Sequence, residues 1–337
     1  MMTKKCLASI IGVVLLYALS AEAVVNIQNV GAGARASGMG NSFVAIADNP
    51  DAVFENPAGL NQIEKSQLAY TNVSLFFGGI DGDNLGQHVV SYVRPLGGRL
   101  GLGLGYERIG SDLMSENGAF LSLAFRFSKK LNLGLNAKYL FWSVSDIPND
   151  PVNGKADPLS GESAGNIGID LGVLWQSPVE GAKVGLLLKN LNEPDVASKK
   201  VAVADADAGK LPMDLHLGVS YRVNPSSLVS VQWVVRDVTA SSVDVPTGEV
   251  DEAGAALTTE ESSRSTKLVL GGETRLVEGL MLRAGGSKLF EDEATGDLNA
   301  GLGYRWNTNL LFDYSYHIPL DLTETNGAHR FSFGYEF

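Results

Sequence analysis

The sequence predicts an all-β fold: a 14-stranded antiparallel transmembrane β-barrel with a short N-terminal helical plug, or hatch. Fourteen segments between residues 67 and 337 alternate apolar and polar side chains, which is the period of a β-strand. The connections between these segments are alternately short and long, as in outer-membrane barrels. A secretory leader precedes the segments, and no later stretch offers about 18 consecutive apolar residues, so no spanning helix is expected.

Residues 1–23 have the pattern of a cleaved signal peptide. Lys4 and Lys5 form the basic start, residues 7–19 are apolar, and residues 21–23 supply the small side chains of a cleavage site. Cys6 lies before the apolar run, whereas the cysteine of a lipoprotein would follow it. We therefore expect an exported chain whose mature form has no cysteine and no disulfide.

The composition suits a membrane barrel. Hydrophobic residues make up 45% of the chain, yet strands that cross a membrane are only half apolar and escape a hydropathy scan. The net charge of −12 argues against a nucleic-acid partner. The expected location is the outer membrane of a Gram-negative-type cell, with outer-membrane lipid around the barrel.

Residues 24–62 differ from the rest of the chain and are predicted to form the plug. Asn41 is expected to cap a short helix with Phe43, Val44 and Ala47 on its apolar face. Two Asn-Pro steps follow, and each predicts a short helical turn because proline loses no hydrogen bond at the first helical position. A compact N-terminal segment without a special role is the alternative. The predicted hatch motif comprises Gly38, Met39, Gly40, Asp48, Asn49, Pro50, Asp51, Asn56, Pro57, Ala58, Gly59 and Leu60.

Residues 63–337 are predicted to form the barrel. Most segments have about 9–11 residues, the length that a tilted strand needs to cross a bilayer. None of the twelve prolines falls inside a predicted strand. The predicted strands are 67–77, 87–94, 99–109, 118–127, 131–144, 166–176, 182–191, 214–223, 228–238, 266–276, 280–289, 297–306, 310–318 and 328–337.

Alternation within each strand separates a lipid face from a lumen face. In segment 118–127, Leu121, Leu123 and Phe125 share one face, and Ser122 shares the other with Ala124. A soluble sandwich would alternate in the same way, so the short and long connections decide in favour of a membrane barrel. The long connection 239–265 is acidic and is expected outside the cell, without the ligand spacing of a divalent-cation site.

The C-terminal segment alternates aromatic side chains up to Phe337. This pattern resembles the C-terminal strand signal of bacterial outer-membrane barrels. The resemblance implies that the barrel assembly machinery is a partner through this strand.

No pattern in the barrel predicts catalysis, a metal or a cofactor. Gly101, Gly103 and Gly105 alternate with leucines and no helix follows, so these glycines are expected to make room inside the barrel rather than to bind a nucleotide. The four histidines lack metal-ligand spacing. No serine, histidine and acid can be grouped as a triad, so the protein is predicted not to be an enzyme.

Parts of the plug resemble a known family. The stretches GARA at 33–36, GMG at 38–40, FVAIAD at 43–48 and NPAGL at 56–60 are similar to the N-terminal signature of PorV/PorQ-like proteins. That group is similar to FadL-type outer-membrane transporters, which also carry an NPAG element. The resemblance implies a 14-stranded barrel with an N-terminal hatch.

The resemblance implies two functions of different classes. Similarity to FadL-type proteins implies a transporter that passes hydrophobic, fatty-acid-like small molecules through a plugged lumen, and this is the favoured hypothesis. Similarity to PorV-like proteins implies a component of type IX protein secretion that binds secreted proteins and conducts nothing. A purely structural barrel is a third hypothesis.

A ring of arginines is predicted to hold the plug. Each arginine lies near the periplasmic end of an even-numbered strand, on the face assigned to the lumen, where it could pair with plug acids. Solvation by lipid headgroups or water is the alternative. The ring comprises Arg94, Arg126, Arg222, Arg275 and Arg305, and the acids offered to it are Asp48, Asp51 and Glu55.

Overall fold

The computed structural model describes residues 30–75, 85–147, 154, 157–198, 209–240, 243–250, 256–261, 264–290, 295–320 and 327–337. The predicted signal peptide and residues 24–29 of the predicted plug lie outside these described residues.

Sixteen strands are present in the described ranges, and the bounds of all but β10 and β11 agree with the predicted segments to within a few residues. They are β1 Gln67–Ser74, β2 Gly86–Gly97, β3 Leu100–Gly110, β4 Met114–Arg126, β5 Leu131–Val144, β6 Ser163–Gln176, β7 Ala182–Lys189, β8 Asp214–Asn224, β9 Ser227–Arg236, β10 Val243–Val250, β11 Ala256–Glu261, β12 Ser265–Val277, β13 Leu280–Leu289, β14 Gly296–Arg305, β15 Leu310–Pro319 and β16 Ala328–Glu336.

Fourteen of these strands close into one antiparallel barrel. Each pairs with its neighbours in the chain, except that β9 pairs directly with β12, and β1 pairs with both β2 and β16 to close the cylinder. The predicted fold class is therefore confirmed. Because closure leaves no free edge, every barrel strand has a partner on both sides, as a bilayer requires.

The connection between β9 and β12 was predicted as an acidic loop, and the structure corrects this. It contains a separate two-stranded sheet in which β10 pairs with β11, from Val243 opposite Glu261 to Val250 opposite Ala256. The register shifts between Pro246 and Val250, which is where proline removes a ladder donor.

The prediction that no proline falls inside a barrel strand is wrong for Pro95, which lies within β2, whereas Pro319 lies at the end of β15. The ladder between β2 and β3 shifts register between Pro95 and Gly97. A proline is tolerated there because the ladder is already irregular.

The two faces of the strands are assigned as predicted. In β4, Leu121, Leu123 and Phe125 are exposed on the outside, whereas Ser122 and Ala124 are buried inside. Large apolar side chains are exposed in this way around the whole barrel, which suits a hydrocarbon surrounding. Among the described residues, no helix has the length and apolar character needed to cross a membrane.

The plug lies inside the barrel and contains short helices. Helix α1 spans Ala34–Gly38, helix α2 spans Ala52–Glu55, and a 3-10 helix spans Pro57–Gln62. Almost every side chain from residue 32 to residue 63 is buried. The plug thus forms the centre of the hydrophobic core, and the barrel wall surrounds it.

The predicted helix capped by Asn41 is absent. Asn41 has φ +66°, a left-handed conformation that ends the turn after α1, and residues 42–47 form turns. The backbone N–H groups of Phe43 and Val44 both donate to the side-chain oxygen of Gln232 on β9, at 3.0 Å each. A wall side chain therefore satisfies donors that the prediction had assigned to a helix N-terminus.

The two Asn-Pro steps behave differently. Asn56 caps the 3-10 helix as predicted, because its side-chain oxygen accepts from the N–H of Ala58 at 3.1 Å and Pro57 occupies the first position. Asn49 does not cap α2. Its amide instead donates to the Asp51 carboxylate at 2.8 Å, and α2 begins after Asp51.

Candidate functional site

The interface between the plug and the lumen wall is the candidate functional site. Wall side chains satisfy backbone groups of the plug from many directions. The hydroxyl of Ser332 on β16 accepts a hydrogen bond from the N–H of Ala34, at the start of α1. The hydroxyl of Ser230 on β9 donates to the carbonyl of Ser42, which follows α1 in the chain. Further wall-to-backbone bonds of this kind come from Gln232 on β9, Ser220 on β8, Asn136 on β5 and Arg126 on β4.

Lumen-facing glycines let the plug backbone touch the wall. A Cβ at Gly285 of β13 would lie 2.2 Å from the backbone carbon of Met39, and one at Gly134 of β5 would lie 2.2 Å from the nitrogen of Ala58. Real Cβ atoms do not approach backbone so closely, so only glycine fits these positions. A Cβ at the glycines at 172, 185, 218, 271 and 301 would lie between 2.2 and 3.0 Å from a plug atom.

The prediction for the glycines at 101, 103 and 105 is confirmed. A Cβ at Gly103 or Gly105 would lie 2.7 Å from a methyl group of Val53 in α2. A Cβ at Gly101 would lie 3.3 Å from Leu60 at the end of the hatch motif. These residues on β3 therefore make room for the plug.

The first part of the hatch motif fits against β12–β14. Met39 is fully buried, and a Cβ added to Gly38 would lie 3.1 Å from the Cα of Gly301. Gly40 has φ +68°, and a Cβ there would lie 2.8 Å from the backbone nitrogen of Gly286. Both the close approach and the left-handed backbone require glycine at position 40.

A chain of ion pairs joins α1 to the wall. Arg35 donates two hydrogen bonds to the carboxylate of Glu273 on β12, at 2.8 and 2.9 Å, and one to Asp48 within the plug at 2.5 Å. Glu273 also accepts from Arg283 of β13 at 2.7 Å, and Arg283 donates to Asp313 of β15 at 2.6 Å. The side chains are largely withdrawn from solvent, so bidentate geometry and low local dielectric strengthen the contacts.

Two further cationic side chains bind the ends of the plug. Arg330 of β16 donates to the hydroxyl of Ser37 at 3.0 Å and to the carbonyl of Val30. Lys183 of β7 donates to the side-chain oxygen of Gln62. The plug is therefore held by wall residues from its first described residue to its last helix.

Burial changes the acidity of the plug carboxyls. It raises the pKa of Asp51 to about 6, although the hydrogen bond from Asn49 opposes the rise. It also raises the pKa of Glu55 to about 7, partly offset by Lys189. Burial lowers the pKa of Arg35, but the Asp48 and Glu273 carboxylates outweigh it, so the guanidinium stays charged.

The predicted ring of Arg94, Arg126, Arg222, Arg275 and Arg305 does not pair with plug acids. All five side chains are exposed near the strand ends. Arg126 alone among the five has a described bond to the plug, from its guanidinium to the carbonyl of Asn61 at 2.7 Å.

The ion pair between plug and wall has the opposite polarity to the predicted one. A plug arginine, Arg35, binds a wall acid, Glu273, and Arg35 also takes the plug acid Asp48. The residues that were missed are Glu273, Arg283 and Arg330, which lie inside strands rather than at their ends. A charged side chain on a lumen-facing position in mid-strand is the sequence signal that could have identified them, because such a charge needs a partner.

An apolar groove of about 500 Å³ lies on the opposite surface of the wall. Its lining includes Tyr304 and Phe312 beside Phe331 and Phe333, all exposed on the lipid face of β14–β16. The groove therefore faces hydrocarbon. Within the described ranges, no group of three or more histidine, cysteine, aspartate or glutamate side chains could hold a metal ion.

Solved structures share this fold. The Ralstonia pickettii toluene transporter TbuX aligns with a TM-score of 0.63 at 16% identity, covering 91% of this chain and 98% of that one. The Pseudomonas putida toluene transporter TodX gives 0.58 at 14%, covering 94% and 99%, and a Pseudomonas aeruginosa FadL homologue gives 0.57 at 16%, covering 91% and 98%. At such identities the likeness shows the FadL-type fold alone.

Sequence comparison gives the family. No curated protein matches the chain. The family described as type IX secretion system membrane protein PorP/SprF matches residues 53–335, which is most of the chain. The likeness of the plug to PorV/PorQ-like proteins stays a resemblance, because the matched family is a different one. The chain belongs to the PorP/SprF family of type IX secretion system membrane proteins.

Proposed function

We propose that this protein is a closed outer-membrane barrel of type IX secretion, which binds a secreted protein at its outer loops and passes no solute through its lumen. It would reach the outer membrane behind a signal peptide at residues 1–23 and be assembled there through its C-terminal strand. The family to which the chain belongs supports the assignment to secretion.

The fit between plug and wall supports a closed lumen. Glycines on eight of the described strands lie in close contact with the plug, and wall side chains bond its amides and carbonyls. Moving the plug would break these contacts together and leave buried polar atoms, such as the side-chain oxygen of Gln232, without their described partners. A plug held in this way suits a scaffold better than a gate.

Transport of hydrophobic small molecules is the second candidate. It is favoured by the fold that the chain shares with toluene transporters and by the apolar groove on the lipid face. The lumen side of the wall, however, carries buried charged groups such as Asp170 and Arg283. An apolar solute would have to pass these groups, so the lumen is a poor hydrophobic path.

A disulfide that locks the plug separates the two functions. A Cβ at Gly218 of β8 would lie 3.6 Å from the Cβ of Ala45, a separation that suits a disulfide. The locked variant is Ala45→Cys with Gly218→Cys, and Val44→Ala relieves the 2.5 Å approach between Val44 and the new Cβ. The predicted mature chain has no other cysteine.

We expect the oxidised, locked protein to restore surface delivery of secreted proteins to a strain that lacks the native gene, as fully as the reduced protein does. The matched control carries Val44→Ala and Ala45→Cys without the second cysteine. If oxidation abolishes delivery or solute uptake, and reduction restores it, the plug must move for function and the proposal is wrong.

A further inference from the structure

A small cavity of about 20 Å³ lies between helix α2 and the wall, which is room for about one water molecule. The edge-to-face pair of Phe54 and Phe120, with ring centroids 4.9 Å apart, forms part of its lining. Five ionisable side chains also line the cavity. They are Glu55 of α2, Glu107 of β3, Lys138 of β5, Asp170 of β6 and Lys189 of β7.

One of these carboxyls is fully satisfied. Asp170 forms an ion pair with Lys138 at 2.6 Å, and both side chains are almost completely buried. Its two oxygens also accept hydrogen bonds from the amide of Asn136 and the backbone N–H of Asn190. Asp170 therefore has the partners that a buried carboxylate needs.

The other two carboxyls are not satisfied in this way. Glu107 is 3% exposed and accepts no hydrogen bond from the described part of the chain. Glu55 faces the same cavity, where the backbone N–H of Ala32 is its donor. The lining thus holds three carboxyl groups and two ammonium groups, so ionisation of all three carboxyls would exceed the two cations by one negative charge.

We propose that Glu55 and Glu107 share one proton at neutral pH, so that the cavity is a proton-binding site joining the plug to the barrel wall. The shared proton lets one carboxyl donate to the other, directly or through the water that the cavity can hold. It also removes the repulsion between a plug carboxylate and a wall carboxylate. This inference concerns how the plug is held and stands apart from the proposed role in secretion.

The surrounding charges set the direction of the pH dependence. The charges of Lys189 and Arg330 lower the pKa of Glu55, and the charge of Asp51 raises it. Glu107 interacts with Lys189, Lys138, Glu55 and Glu116. Burial is the largest influence on Glu55 and raises its pKa to about 7. Because this value lies above the ordinary value of 4.5, the stabilisation of the docked plug is fully present below pH 4.5 and is lost as the pH rises through about 7.

Infrared spectroscopy of protein labelled with ¹³C at glutamate carboxyls tests the proposal. The purified wild-type barrel should show the carbonyl band of a protonated glutamate at about pH 6 and lose it only as the pH rises above about 8. Glu107→Gln removes the neighbouring negative charge, so the titration of Glu55 should move to lower pH. Glu180→Gln in an exposed turn is the matched control and should leave the band unchanged.

Hydrogen exchange of the α2 amides, corrected for intrinsic rate, provides the second measurement. Protection should fall in the wild type as the pH rises through about 7 and stay constant in Glu55→Gln. The proposal is overturned if both glutamates are ionised at about pH 6, or if Glu107→Gln leaves the titration of Glu55 unmoved. It is equally overturned if protection follows sodium concentration at fixed pH, since an alkali ion would then be the occupant.

Discussion

Arg35→Ala should release the plug from the wall. The substitution removes two hydrogen bonds to Glu273 and one to Asp48, and it leaves Glu273 with Arg283 as its remaining partner. Breaking a buried ion pair by removing one partner costs about 3–5 kcal/mol, because the other charge stays buried. The arginine also lies over the ring of Phe43, 5.3 Å from its centroid, and this contact would be lost as well.

A single cysteine at the buried position Ala36 reports on release through its reaction with a water-soluble thiol reagent. Labelling should be slow in the parent protein and at least tenfold faster with Arg35→Ala, which corresponds to about 1.4 kcal/mol or more. Arg305→Ala is the matched control, because Arg305 is exposed and its described side-chain bond is a 3.4 Å contact to Thr308. Equal labelling of the two variants would mean that the ion pairs do not hold the plug.

Gly271→Ala should loosen the plug, whereas Gly272→Ala, one residue along the same strand, should not. A Cβ at Gly271 would lie 2.4 Å from the carbonyl oxygen of Met39, which is backbone and cannot turn aside. A Cβ at Gly272 would have its nearest neighbour, the carbonyl oxygen of Leu228, at 3.7 Å. Overpacking of this kind typically costs about 1–3 kcal/mol.

The pair is informative because both variants change the same strand by the same methyl group. The cysteine at position 36 should label faster with Gly271→Ala, and adding Gly285→Ala should increase the rate further, because a Cβ there also meets the backbone of Met39. Thermal unfolding of the barrel should be nearly unchanged in every variant. Faster labelling with Gly272→Ala, or none with Gly271→Ala, would show that close backbone contact does not seat the plug.

The barrel could be predicted from sequence because each strand carries its own signal. Period-two alternation in a segment such as 131–144 is local, and β5 has these bounds in the structure. The β10–β11 hairpin was missed because its strands are short and lie within an acidic connection. Helix α1 was missed because Ala34–Gly38 is a run of small residues with one arginine and has no apolar period.

The candidate site was less predictable, because it depends on which residues lie at the same depth in the barrel. The local sequence correctly predicted that Asn56 caps a helical turn with Pro57 at its first position, since a cap needs only neighbouring residues. Asn41 was wrongly predicted to be a helix cap. The backbone N–H groups that follow it donate instead to the side chain of Gln232, about 190 residues later in the chain. The arginine ring failed for the same reason, since strand order alone does not fix how far along the axis the plug is seated.

The conductance of the purified protein in planar bilayers tests the sealed lumen most directly. The wild type should carry no steady ionic current, and a variant lacking residues 31–62 should form open channels, because these residues fill the centre of the barrel. Thermal unfolding and resistance to protease would confirm that the shortened barrel is folded. A steady current through the wild type, equal to that of the folded variant, would contradict a plug that closes the barrel.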